Sequence, residues 1–220
     1  MKYRIIAPPN ILKDHVRYFS ILDYTSGAPG MSQIKVFADR YPHLVFQHNN
    51  GKSAFYKNGK ALPVTFISGI KTTPYICHIE NRHSVITVTF YPHAMKSIFG
   101  MDAMELNDEL PDIQNFAPPY LTDLLLNTED RSQQLTILID FLAARLKRQK
   151  DEDAVIVEIM KTLNKTATVI LSDLQKNFNI SERQLQRRFK SSVGLAPKHY
   201  LRATRFEKSL ALIQGNNYEN

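Results

Sequence analysis

Residues 170–213 constrain the fold of this chain most, because their pattern favours two short helices, a tight turn and a longer third helix. Leu171, Leu174 and Phe178 fall at i, i+3 and i+7, the spacing of one buried helical face. Asn179 lies in the break that follows, and asparagine tolerates the left-handed backbone that a tight turn often needs. We therefore predict a helix-turn-helix arrangement here.

Both short helices carry start signals. Ser172 or Thr168 is expected to cap the first helix, over Leu171–Asn177, by accepting a hydrogen bond from a backbone N–H. Ser181 is expected to cap the second helix, and Gln184 stands three residues later, where a capping box requires it. These signals predict that the second helix begins just after the turn.

The second helix has one apolar and one polar face. Leu185 and Phe189 lie four residues apart and are expected to face inward. Arg183, Gln186 and Arg187 fall at i, i+3 and i+4, so they lie side by side on the opposite face. Arginine can pair bidentately with guanine, and glutamine with adenine. This face is therefore predicted to read base edges in the major groove of double-stranded DNA.

Charge around this helix favours a polyanionic partner. Between residues 180 and 205 the only acid is Glu182, and a helix kept soluble by charge usually mixes the two signs. The basic residues of that stretch are Arg183, Arg187, Arg188, Lys190, Lys198, Arg202 and Arg205. The residues expected to contact the DNA backbone are Ser181, Arg188, Lys190 and Lys198. The alternative is a solvated amphipathic helix without a ligand.

The string ISERQLQRRFKSSVGLAPKHYLRATRFEKSLALI, residues 180–213, resembles the AraC/XylS family of bacterial transcription regulators. The positions that carry the resemblance are Ser181, Leu185, Arg187, Phe189, Lys190, Gly194, Pro197, Tyr200, Leu201, Arg205, Ser209, Leu212 and Ile213. The resemblance implies that Arg183, Gln186 and Arg187 occupy base-reading positions. It also implies that a linker helix follows.

The family pattern has two helix-turn-helix units joined by that linker helix. This chain stops at Asn220, and its last residues, GNNYEN, resemble the loop that would precede the second unit. The resemblance therefore implies a C-terminally truncated DNA-binding domain. These 220 residues alone are expected to bind DNA weakly.

Composition sets broad limits on function. The 28 basic and 21 acidic residues give a net charge of +7, which suits a polyanionic partner. A lone Cys77 fits a reducing compartment, and neither a secretory signal nor a membrane-spanning run is visible, so a cytoplasmic protein is expected. The chain shows no Gly-rich phosphate loop, nucleophile elbow or plausible pair of catalytic carboxylates. It is therefore not expected to be an enzyme.

The N-terminal half reads as short strands at regular spacing, with a hairpin signal at Asn58-Gly59, which favours a sandwich or barrel. The expected class is α+β, divided into a β-rich domain at 1–110, a helical hairpin at 111–150 and a partial DNA-binding domain at 151–220. The family resemblance implies that the β-rich domain is cupin-like. It would sense a small-molecule effector or support a homodimer.

Within the hairpin segment, a longer helix is predicted from about Arg131 to Arg148. Its apolar residues recur at helical spacing, so this stripe can either join two chains as a dimerisation element or pack on the β-rich domain. The charged run at 147–153, KRQKDED, reads as an interdomain linker.

Aromatic residues of the strands are candidate lining for an effector pocket, although core packing is the more frequent fate of a strand aromatic. The candidates are Phe37, Phe46, Phe55, Tyr75 and Phe90. Cys77, His78, Glu80 and His83 cluster like metal ligands, but their spacing lacks the His-x-His pattern of metal cupins. No metal or cofactor is expected. The rival hypotheses are a cupin-type metal-dependent enzyme with a helical appendage and a module that binds an acidic protein.

Overall fold

The structure, a computed structural model, describes residues 1–25, 30–148, 153–165 and 170–215. In these ranges the strands are β1 (Lys2–Ile6), β2 (Val16–Thr25), β3 (Met31–Val36), β4 (His43–His48), β5 (Phe55–Lys57), β6 (Lys60–Ala61), β7 (Thr65–Ser68), β8 (Tyr75–Glu80) and β9 (Arg82–Phe90). The helices are α1 (Ala94–Phe99), α2 (Leu121–Leu126), α3 (Arg131–Arg148), α4 (Ala154–Lys165), α5 (Leu171–Asn177), α6 (Glu182–Val193) and α7 (Pro197–Gly215). Two short 3₁₀ helices span Ala103–Leu106 and Ile113–Asn115. The predicted α+β class is confirmed.

The strands form two antiparallel sheets. The first has five strands in the order β1-β2-β9-β4-β7, and the second has four in the order β3-β8-β5-β6. Asn58 and Gly59 join β5 to β6 with φ angles of 52° and 75°, so both residues adopt the left-handed backbone of the predicted hairpin turn. The ten residues Val16–Thr25 form the long strand β2.

Strands β4 and β9 of the five-stranded sheet are largely buried on both faces, and strand alternation sorts their side chains between the two faces. Phe46 and Ile86 belong to the larger core, together with Met95 of α1 and Leu138 of α3. Residues of the other face, Val45, Phe66 and Val85, form a smaller core against Phe55 of the second sheet and the nearby Leu22, Leu62 and Leu110. The first sheet therefore lies between helices α1–α3 and the second sheet.

Helices α4–α7 enclose a separate core. It joins Ile159 and Met160 of α4 to Leu174, Leu185 and Phe189. Val193, Tyr200 and Leu201 belong to the same core. The inward orientation predicted for the apolar face of α6 is confirmed, and the core leaves the opposite face of that helix to solvent.

The N-terminal cap of α6 matches the sequence prediction, and that of α5 does not. Ser181 Oγ accepts from Gln184 N while Gln184 Oε1 accepts from Ser181 N, which completes the capping box. In α5 the cap position is Ile170, in extended backbone and without a side-chain hydrogen bond. The prediction of Ser172 as the cap is therefore wrong, because α5 already includes Leu171 and Ser172. Thr168 lies outside the described residues.

Parts of two other predictions also lie outside the described residues. These are positions 149–152 of the expected linker and positions 216–220 of the tail. Among the helices that the structure describes, none combines the length and apolar character that a membrane span requires.

Candidate nucleic-acid interface

Helix α6 presents an exposed polar stripe on the face opposite its core residues. Arg183, Gln186, Arg187 and Lys190 follow one another at helical spacing, and all four side chains are exposed. Together with Ser181 and Gln184 they line a shallow, open concavity on the surface. The structure thus brings together the three predicted base-reading residues and two of the predicted phosphate contacts.

Few contacts within the protein hold this stripe. Gln186 Nε2 donates to Glu182 Oε1 at 3.1 Å, and both groups are exposed, so exchange of this bond for a ligand contact costs little. Arg183 and Arg187 form no hydrogen bond or ion pair with any residue in the described ranges. Their guanidinium groups are available to an external acceptor.

The turn before α6 sets its direction. Asn179 has a φ of 49°, the left-handed conformation expected for asparagine in a tight turn. Ile180 N donates to Gln175 O at 3.0 Å, which closes the turn onto α5. The capping role of Gln184 uses its Oε1, and its place in the concavity beside the arginines was missing from the sequence-based set of site residues.

Arg188 differs from the other predicted phosphate contacts because its guanidinium already has an acidic partner. Its Nε and Nη2 donate to the two carboxylate oxygens of Asp153 at 2.7 and 2.5 Å. This pair joins α6 to the start of α4. It leaves Nη1 of the guanidinium out, so the phosphate contact of Arg188 stays a prediction. This pairing could not be predicted from local spacing, because 35 residues separate the partners.

The ion pair changes the pKa of Asp153. Burial alone would raise this pKa, but hydrogen bonds from Arg188 and from the Ile156 backbone, with the guanidinium charge, hold it below its usual value. A carboxyl with a lowered pKa stabilises the folded state above its unfolded pKa, and that contribution is lost as the pH falls through the folded value.

We expect Asp153→Asn to lower the free energy of unfolding by about 1–3 kcal/mol near neutral pH, the usual range for hydrogen bonds to charged groups. Asparagine can still cap α4 through Ile156 N, so the substitution removes mainly the charge. Urea unfolding followed by circular dichroism should show the two proteins converging as the pH falls from about 4, the ordinary pKa of an aspartate, through the lower pKa of Asp153 in the folded chain. A constant gap across that range would contradict the ion-pair assignment.

The C-terminal end of α6 packs against the β-rich part of the chain. It contacts the 3₁₀ helix Ala103–Leu106 and helix α1. Asn107 Nδ2 donates to Gly194 O at 2.7 Å, directly at the left-handed residue that ends α6. Arg183 and Arg187 lie nearer the other end of the helix and are exposed, so this docking holds α6 without covering them.

A second contact joins α7 to the same region. Arg40 Nη1 donates to the buried Tyr200 hydroxyl oxygen at 2.6 Å, and the Arg40 guanidinium lies near the rings of Tyr41 and Tyr200. In α4, Lys161 Nζ lies 3.4 Å from Asp14 Oδ2, but an exposed ion pair of this kind adds little stability. Lys198, a predicted phosphate contact, is exposed in the first turn of α7.

The five aromatic residues proposed to line an effector pocket do not come together. Phe46 and Phe90 are buried in the core that faces the helices, whereas Phe55 packs between the two sheets. Phe37 is 68% exposed just after β3, and Tyr75 lies beside Lys57 and Lys71. A strand places successive side chains on opposite faces, so shared aromatic character does not imply a shared cavity.

The cluster around Cys77 follows the strand alternation of β8. Cys77 and Ile79 are buried, while His78 is exposed and Glu80 accepts hydrogen bonds from Asn49 and Tyr56. In the described part of the chain, no three His, Cys, Asp or Glu side chains are grouped closely enough to hold a metal ion.

Comparisons with known proteins give limited similarity. A family described as a domain of unknown function, DUF6597, matches residues 4–112, just under half of the chain. No curated protein matches the chain. Apo ToxT K231A from Vibrio cholerae strain SCE256 is 13% identical, with a TM-score of 0.41, over 91% of this chain and 84% of that one. ToxT from Vibrio cholerae in the P21 crystal form is 11% identical, with a TM-score of 0.43, over 91% and 85%.

Proposed function

We propose that the chain is a sequence-specific DNA-binding transcription regulator of the AraC/XylS type, whose β-rich region senses a small-molecule effector. The observation that carries the proposal is the exposed stripe of α6, where Arg183 and Arg187 are unpaired within the described residues. A solvated helix without a ligand would usually pair such charges with acids along its own surface.

In this proposal α6 enters the major groove of double-stranded DNA. Arg183 and Arg187 each offer a guanidinium that can pair with guanine O6 and N7, and the Gln186 amide can pair with adenine. Lys190, Lys198 and Ser181 stand where backbone contacts would supply affinity and register. Arg188 supports the orientation of α6 through Asp153.

The β-rich region acts as a cupin-like sensor without catalytic activity in this proposal. Its support is the direct docking of that region on α6 and α7, through Asn107 with Gly194 and Arg40 with Tyr200. A ligand that prefers one arrangement of this contact would change the fraction of chains in which α6 is positioned for DNA.

The central experiment is Arg187→Ala, measured on a selected binding site and on random duplex DNA. We expect the variant to lose about 1–3 kcal/mol of discrimination between the two, the value of one good bidentate contact. The cognate sequence is first obtained by in vitro selection with the wild-type chain. Electrophoretic mobility shifts at low salt then give both affinities.

Lys190→Ala is the matched control, because it removes one exposed charge from the same stripe. It should weaken all sequences alike and lower the slope of log affinity against log salt by about 1. Equal losses for Arg187→Ala on selected and random DNA would contradict the base-reading role. A chain that selects no sequence and shows no salt-dependent DNA affinity would overturn the proposed function.

A further inference from the structure

Strand β1 is an open edge of the five-stranded sheet. Its register with β2 runs without a break from Lys2 opposite Asp23 to Ile6 opposite Phe19. Within the described ranges, no strand or isolated bridge pairs with the other side of β1. An edge strand presents a row of backbone N–H and C=O groups to solvent, and this row can pair with a further strand.

The opposite edge of the same sheet is already closed. Ile67 N in β7 donates to Pro111 O at 3.0 Å, and Phe66 forms an isolated bridge with Asp112. The segment around Pro111 therefore occupies the place of a further strand at that edge. β1 has no such cover in the part of the chain that the structure describes, and four of its five residues are exposed.

The two faces of β1 differ in chemistry. Arg4 lies opposite Ile21 of the larger core, and strand alternation places Lys2 on the same face. Tyr3 and Ile5 lie on the other face, which is directed toward the second sheet, and they are 52% and 61% exposed. A shallow concavity is lined by Lys2, Tyr3 and Arg4, residues of both faces, so it lies at the edge of the sheet.

The charged face of β1 is positive. The side chains of Lys2 and Arg4 form no hydrogen bond or ion pair with any residue in the described ranges. Asp23, the acid opposite Lys2, lies 3.2 Å from Arg131 Nη2, so its charge is already balanced. Opposite charges facing each other on adjacent strands stabilise a sheet, and like charges destabilise it. A strand with acids opposite Lys2 and Arg4 therefore fits this edge.

We propose that β1 is a docking edge for an extended acidic segment of another protein, which joins the five-stranded sheet as a sixth strand. The backbone of the segment pairs with the open side of β1, and its acids lie opposite Lys2 and Arg4. Its apolar residues alternate with the acids and pack against Tyr3 and Ile5. This inference goes beyond the proposed function, because no part of it depends on α6 or on DNA.

A second copy of the chain fits this edge less well than an acidic strand. The symmetric antiparallel register that pairs all five residues of β1 sets Arg4 opposite the same residue of the copy, with Lys2 diagonal to it. Four cations would then lie close together on one face, and their repulsion opposes association. The charges that repel a copy of β1 attract an acidic strand, so the edge discriminates between partners by charge.

The second sheet offers a matched control. β3 is also an exposed edge strand, with Met31 52% and Ile34 40% exposed. Its only cation is Lys35, whose Nζ lies 5.6 Å from the centroid of the Phe37 ring. We therefore expect selection of an acidic strand at β1 and not at β3, and Lys35→Glu is the control for charge reversal at β1.

The test uses the fluorescein-labelled peptide Glu-Val-Glu-Val-Glu-Val-Glu, with fluorescence anisotropy on the full chain at about 0.1 M salt, where distant charges are screened. The wild-type chain should bind it saturably, and should bind Lys-Val-Lys-Val-Lys-Val-Lys about ten-fold more weakly. Arg4→Glu should raise the Kd of the acidic peptide about ten-fold. Lys35→Glu, which changes the charge equally, should leave it unchanged. Arg187→Ala should also leave it unchanged, because the peptide does not use the stripe of α6.

Reversal of both charges provides a rescue. Lys2→Glu/Arg4→Glu should reject the acidic peptide and bind the lysine peptide instead. Failure of this exchange in a variant with an unchanged circular dichroism spectrum would overturn the proposal. Absence of acidic-peptide binding by the wild-type chain, equal effects of Arg4→Glu and Lys35→Glu, or loss of binding in Arg187→Ala would each overturn it as well.

Strand addition itself is tested on the wild-type chain with N-methylated forms of the acidic peptide. Alternate N–H groups of an extended peptide point to opposite edges, so methylation of only the odd or only the even residues blocks one edge. At least one of these two peptides should bind, and the peptide methylated at every residue should not. Binding of the fully methylated peptide, or of neither partly methylated one, would overturn the proposal.

Mass measurement and DNA binding complete the test. A concentration-dependent doubling of mass that the acidic peptide reverses would assign the edge to a second copy and overturn the proposal. Arg4→Glu should weaken DNA binding no more than Lys35→Glu does. A larger loss, with peptide binding unchanged, would assign Arg4 to DNA and overturn the proposal. If the peptide binds as expected but the chain has no DNA affinity, the docking edge stands and only the proposed function fails.

Discussion

Phe189→Ala is expected to lower the free energy of unfolding of the helical part of the chain by about 3–5 kcal/mol, as for other phenylalanines truncated in a core. Phe189 is fully buried, and its ring meets that of Tyr200 edge to face, with centroids 5.6 Å apart. The core of α4–α7 is small, so little surrounding structure can collapse into the vacated space. Urea unfolding followed by circular dichroism measures the loss.

The matched control is Phe206→Ala in α7. The Phe206 side chain is 67% exposed, so its removal should change stability by no more than about 0.5 kcal/mol. Similar losses for the two variants would show that Phe189 does not anchor this core. Arg187→Ala should also leave stability nearly unchanged, which separates the reading face of α6 from its buried face.

The second large effect is expected for Gly194→Ala, at the junction of α6 with the β-rich region. Gly194 has a φ of 85°, and an added Cβ would lie 2.8 Å from Asn107 Oδ1 and 3.0 Å from Ala103 O. The left-handed backbone alone costs alanine about 1–2 kcal/mol. The collision should add about 1–3 kcal/mol, the usual cost of overpacking, because one of the opposing atoms belongs to the backbone.

Gly51→Ala separates the cost of the left-handed backbone from the cost of the collision. Gly51 has a φ of 80°, and its added Cβ would meet nothing within 4 Å, so this variant carries only the conformational cost. The difference between the two losses, measured by thermal or urea unfolding, is the cost of the collision at the docking contact. Equal losses would mean that α6 does not depend on this contact.

Asn107→Ala tests the same contact from the other side. Alone it removes the hydrogen bond to Gly194 O, worth about 0.5–1.5 kcal/mol. Combined with Gly194→Ala it also removes the nearer of the two colliding atoms, so the double variant should lose less stability than the sum of the single variants.

Local chemistry made several elements predictable from the sequence. The bounds of α5 and α3, the capping box of Ser181 and Gln184, and the hairpin at Asn58 and Gly59 all agree with the structure. Each depends on residues within a few positions of one another, where helical spacing, cap chemistry and turn preference act directly. The same short range explains why the exposed stripe of α6 could be recognised.

The cap of α5 shows where local reasoning ends. Ser172 is a suitable capping residue, but α5 begins at Leu171 and uses Ile170 at the cap position without a side-chain bond. Packing of Leu171 and Leu174 into the helical core accompanies this start. Burial of an apolar face can outweigh a cap whose removal typically costs about 1 kcal/mol.

The sequence by itself determined the secondary structure around the turn and the polar face that α6 presents, because both follow from neighbours along the chain. Only the tertiary structure decided that Arg188 pairs with Asp153 and that Gly194 contacts Asn107. It also decided that Phe46 and Phe55 pack on opposite sides of the five-stranded sheet. These contacts join residues far apart in sequence. Their pairing depends on how whole elements pack, which no local pattern encodes.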